Sequence, residues 1–137
     1  MTTTLALLLL LAEPSAAAPA TAHPRSEIIG TWRGTSVCTD RVAAPACKDE
    51  VVIYDVTPGA KAGDVHWKAD KVVNGERLNM GEMEFAYDRG DACWRSVFTG
   101  PRGQSVWCFS VDGRTMTGRA WLLPGKEKIR KVEARKD

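Results

Sequence analysis

Histidine is scarce in this sequence: His23 and His66 are the only two among 137 residues. Acid–base and nucleophilic chemistry most often needs a histidine oriented by a carboxylate. His66 falls on the polar face of a strand-like stretch and reads as an exposed bystander. The four cysteines never occur as C-x-x-C, so the usual zinc spacing is absent and no metal site is expected. No Gly-rich loop precedes a helical pattern, which leaves no phosphate cradle. Glu82 and Glu84 flank Met83 and would share one face of a strand, an exposed acidic face before a glycosidase pair. Neither charge dominates. There are 19 basic residues against 17 acidic ones, too even for a nucleic-acid footprint. No apolar run is long enough to span a bilayer as a helix. Together these absences point to a protein that is not an enzyme, has no cofactor, binds no nucleic acid and spans no membrane.

The N-terminus carries an address. Leu5 to Ala12 form a short apolar run, ended by Glu13-Pro14, and small residues from Ser15 to Ala22 offer A-x-A-like cleavage sites. The sequence therefore divides into a signal peptide (1–20), a flexible linker (21–27) and one folded domain (28–137). Met1 to Thr4 contain no Lys or Arg, which is atypical for such a leader. The protein is expected to be exported, to a periplasm or the extracellular space. In that compartment four cysteines read as two disulfides. Cys38 with Cys47 and Cys93 with Cys108 is the favoured pairing, since each pair encloses a turn-like stretch. The basic excess of the last strand, from Lys126 to Lys136, is broken by Glu127 and Glu133 and reads as a solvated face.

From Ile28 onward the chain reads as strand, turn, strand. Val65, Trp67, Ala69 and Val73 share one face of a third strand while His66, Lys68 and Asp70 share the other, the period-two signature of half-burial. Asn74-Gly75 follows, a strong hairpin signal. In the fourth strand the apolar parity changes across Gly81, from Leu78 and Met80 to Met83, Phe85 and Tyr87. A bulge at Gly81 would restore one inward face. Gly100-Pro101-Arg102-Gly103, Asp112-Gly113 and Pro124-Gly125 mark further turns. Eight strands result, with no sustained helical periodicity. The fold class is all-β, an eight-stranded antiparallel up-and-down barrel, whose closure hides the edges of an open sheet.

Gly30-Thr31-Trp32 on the first strand resembles the G-x-W motif of the calycins, the superfamily of lipocalins, fatty-acid-binding proteins and avidins. The resemblance covers about residues 28–135. It implies a lipocalin-like barrel in which Trp32 packs across the closed end beneath an arginine of the last strand, Arg130 or Arg135, with Arg130 preferred. The helix after strand eight and the lid between strands one and two found in lipocalins have no counterpart here. The chain also resembles the bacterial periplasmic inhibitors of secreted metalloproteases: a leader, a tail, then a small disulfide-closed barrel. In those inhibitors the tail enters the protease.

Parity places Trp67, Met80, Met83, Phe85, Trp107, Phe109 and Met116 on the inner face. An eight-stranded barrel is just wide enough to be filled by side chains or to hold one small ligand. Large rings favour filling. Gly118, Ala120 and the adaptable methionines favour some space. Two functions fit: a carrier or sensor of a small hydrophobic ligand, or a module binding a protease or other exported protein through its N-terminal tail or loops.

Overall fold

The computed structural model describes residues 24–137. The leader and the first residues of the expected linker lie outside the described residues. The chain runs α1 (Pro24–Ile28), β1 (Gly30–Cys38), β2 (Glu50–Pro58), β3 (Val65–Val73), β4 (Glu76–Asp88), β5 (Cys93–Gly100), β6 (Gly103–Asp112), β7 (Thr115–Leu123) and β8 (Lys128–Lys136). Every strand is antiparallel to its sequence neighbour, and β1 pairs with both β2 and β8, so the meander closes. This is the up-and-down architecture of lipocalins.

The turns follow local chemistry. Asn74 and Gly75 both have positive φ, 51° and 80°, as a two-residue type I′ hairpin requires. The Asp112 turn centres one residue later than expected. Asp112 pairs with Thr115, leaving Gly113-Arg114 as the loop, with glycine at the first central position. The bulge falls where the parity break placed it. Ala69 pairs with Gly81 and Asp70 with Asn79, so Met80 is left over, and Gly81 takes φ 142°, a value that disfavours any side chain.

The core follows the period-two rule. Val52, Tyr54 and Val56 point inward from β2, Val65 and Trp67 from β3, Val132 and Ala134 from β8, and all are buried. Asp70 sits on the outer face and is nevertheless buried, because Arg77 and Asn79 fold over it with hydrogen bonds of 2.8 and 3.1 Å. The disulfides are Cys38–Cys47, closing the β1–β2 loop, and Cys93–Cys108, tying β5 to β6. Closing loops of this size contributes roughly 2–4 kcal/mol each.

Two expectations are corrected at the closed end. The segment read as linker enters a helix, α1, with proline at its first position, where the missing N–H costs nothing. Ile28 at its end is fully buried beneath the barrel. The cation over Trp32 is Lys136, not Arg130. Trp32 is fully buried, and its indole Nε1 donates to the Ile28 carbonyl at 2.8 Å. The Lys136 ammonium lies 5.4 Å from the Trp32 ring centroid and donates to the Glu27 carbonyl at 2.9 Å. Gly30 admits this stem, since a Cβ there would meet Lys136 Cε at 2.7 Å. Register explains the exchange: antiparallel pairing sets Trp32 opposite Lys136 and Cys38 opposite Arg130. Six residues of strand, about 20 Å, separate the two cations.

Candidate ligand cavity

The barrel interior is filled below and hollow above. Towards the closed end Trp67 stacks on Phe109 with centroids 4.3 Å apart, flanked by Phe85 at 4.8 Å and Tyr54 at 5.2 Å from Trp67. These rings make a floor. Above it, towards the β1–β2, β3–β4, β5–β6 and β7–β8 connections, lies a cavity of about 360 Å³.

Six of the seven residues assigned to the interior by parity border this cavity: Trp67, Met80, Met83, Phe85, Trp107 and Phe109. Met80 does so from the lip. As the extra residue of the bulge it remains 44% exposed. Met116 does not border it. It is fully buried opposite Ala134, near the end of β8, below the floor. Gly118 does not create ligand space either. A Cβ there would run into the Phe109 ring, so the glycine seats that ring, and Ala120 is buried without reaching the cavity.

The wall also contains Ala69, on the face of β3 that carries Trp67, and Ser36, Glu50, Val52, Tyr54, Gly81, Glu82, Phe98, Ser105 and Arg130, which sequence reasoning left out of the interior. Tyr54 and Val52 were hidden by the unbroken apolar run of β2, which shows no parity. Its eventual phase is set by pairing with Trp32 and Gly34. Phe98 stood on a strand with no clear alternation.

The wall is incomplete on one side. The β4–β5 ladder has only three pairs, Ala86–Arg95, Tyr87–Trp94 and Asp88–Cys93. Beyond them β4 and β5 part, and the bulge that bends β4 lies within that unpaired stretch. Met80 and Met83 on one side and Phe98 on the other flank the gap and line the cavity.

The polar groups gather at the mouth. Arg130 donates through Nη1 to Ser36 Oγ at 2.9 Å and to the Ser36 carbonyl at 3.3 Å, and through Nη2 to the Lys48 carbonyl at 2.8 Å. Burial pushes the Tyr54 hydroxyl pKa well above its ordinary value, with Arg130 and a hydrogen bond to Ser36 pulling it back in part. Ser105 Oγ accepts from Trp107 Nε1 at 3.2 Å. Glu50 has the Lys71 ammonium 3.7 Å away.

His66 is not a bystander. Its Nδ1 lies 2.7 Å from Glu84 and its Nε2 2.9 Å from Glu82, so the two carboxylates clamp one ring on the outer face. The hydrogen bond to Glu84 is the largest cause raising the His66 pKa, against partial burial, with Glu82 adding to it. With both ring nitrogens occupied, the cluster reads as a strand-to-strand tie. Among the described residues no group of three His, Cys, Asp or Glu side chains could hold a metal ion. Nor is any helix among them long and apolar enough to cross a membrane.

No family model matches the chain, and no curated protein matches it. The chain is similar to a solved structure of the siderocalin Ex-FABP, described as functioning through dual ligand specificities. The two share 11% identity at a TM-score of 0.49, over 80% of this chain and 73% of that one. The eight-stranded antiparallel up-and-down barrel stands on this chain's own strand order and closure.

Proposed function

We propose that this protein is an exported, non-enzymatic carrier or sensor of a small hydrophobic ligand held inside the barrel. The observation that carries the proposal is the cavity of about 360 Å³ above the Trp67–Phe109 floor. Its size lies at the lower end of the roughly 300–1,000 Å³ of small-molecule sites, and its lining of rings and methionines with a few polar groups at one end is typical of them. Two disulfides fit an oxidising compartment such as a periplasm or the extracellular space. Organic extraction of the purified protein followed by mass spectrometry should release a stoichiometric small molecule. Protein that yields none, and that also fails to bind a neutral apolar fluorophore, would sink the proposal.

A second function, binding a protease or other exported protein, is favoured by one feature. Val42 stands 95% exposed in the loop closed by Cys38–Cys47. Val42→Asp should abolish partner capture under this second function and leave the cavity's ligand untouched.

A further inference from the structure

Among the described residues, Arg130 is the one cation bordering the cavity, and none of its hydrogen-bond partners is an anion. Its hydrogen-bond partners are the Ser36 hydroxyl and the carbonyls of Ser36 and Lys48, all neutral. Among the described residues no carboxylate comes within ion-pair distance of it, whereas Arg33 pairs with Asp137, Arg77 with Asp55 and Asp70, and Arg95 with Asp88 and Asp91. The two carboxylates that do border the cavity are taken. Glu50 faces Lys71, and Glu82 is held by His66. A guanidinium cannot shed its proton, so it cannot escape the cost of partial burial by becoming neutral. Carbonyl dipoles soften that cost without cancelling the charge.

We propose that the ligand is an anionic amphiphile, whose carboxylate-like or phosphate-like head group pairs with Arg130 while its apolar body descends onto the Trp67–Phe109 floor. The proposal rests on the carrier function above and goes beyond it by naming the ligand's charge. The planar fork of the guanidinium suits a two-oxygen head group. Ser36 holds Nη1 and the Lys48 carbonyl takes one N–H of Nη2, so the guanidinium is oriented before a ligand arrives, with Nε and the second N–H of Nη2 left for the head group. Entry from the mouth leads head-last, which leaves the charged end at the rim and the chain against the rings.

Calorimetric titration of the full protein with three probes of equal chain length tests this: decanoate, decyl phosphate and decanol. At least one anion should bind about tenfold or more tighter than decanol, the value of one charge-assisted hydrogen bond. Arg130→Gln should abolish that preference, so that anion and decanol bind the variant equally, and Arg130→Lys should restore part of it. Equal binding of all three probes by the wild-type protein overturns the proposal and leaves the carrier function standing. So does a preference that survives in Arg130→Gln. This first comparison needs no variant, so misfolding of a variant cannot obscure it. Failure of every probe to bind overturns both.

Discussion

Removing Trp32 should uncouple the closed end from the helix that covers it. Trp32→Ala deletes a fully buried ring from a packed site, which costs roughly 3–5 kcal/mol. Part of that loss is the hydrogen bond from its Nε1 to the Ile28 carbonyl, worth about 1 kcal/mol. Lys136→Ala removes the ammonium over the ring and its bond to the Glu27 carbonyl. A partly exposed cation–π contact contributes about 0.5–1 kcal/mol, so the lysine variant should lose on the order of 1–2 kcal/mol. The two should share about 0.5–1 kcal/mol of coupling, because neighbours in one contact are not additive. Arg130→Ala supplies the control. It lies about 20 Å along β8 from Lys136 and should add to Trp32→Ala without coupling. Urea unfolding followed by far-ultraviolet circular dichroism measures all six proteins in the two cycles. Strict additivity of Trp32 with Lys136, or coupling of Trp32 with Arg130, would refute the closure described here.

Three more outcomes are expected. His66→Gln should flatten the pH dependence of the melting temperature: a raised native pKa gives stability that is full below about pH 6.5 and fades as pH rises through the native value. A histidine proton titrating at or below its ordinary pKa by NMR would contradict this. Met116→Ala should destabilise by roughly 2–5 kcal/mol as a buried truncation while leaving affinity for a neutral apolar fluorophore unchanged, since Met116 lies below the floor. A matching loss of affinity in titration would place Met116 in the cavity after all. Amides in 76–85 of β4 that face the gap, and those in 96–100 of β5, should exchange with deuterium faster than those of β6 and β7, because the β4–β5 ladder ends at Ala86–Arg95. Uniform protection across β4 and β5 in mass-resolved exchange would mean the gap closes in solution.

What the residues revealed in advance, and what they concealed, separates along one physical line. Local rules carry parity, turn and bulge, so β3, the Asn74-Gly75 hairpin and the bulge before Gly81 were legible from the chain itself. Parity also marked Trp67, Met83, Phe85, Trp107 and Phe109 as inward. Parity says which face a side chain takes but not how far along the barrel axis it sits. That is why Met116, correctly inward, falls below the floor, and why Gly118 proves to be filled by Phe109. Depth depends on register, and the register of β8 against β1 depends on the closure of the whole barrel. Nothing local distinguishes a cation at residue 130 from one at 136. A resemblance to the G-x-W motif asked for a basic residue beside Trp32, and the register supplied Lys136. The displaced residue matters more than the error. Freed from the closed end, Arg130 stands at the mouth of an apolar cavity with neutral partners only. A charge so placed raises stability little on its own, and its position is what the proposal of an anionic ligand rests on. The charge at the mouth of the cavity is therefore set by the register of one strand, which no single stretch of the sequence displays.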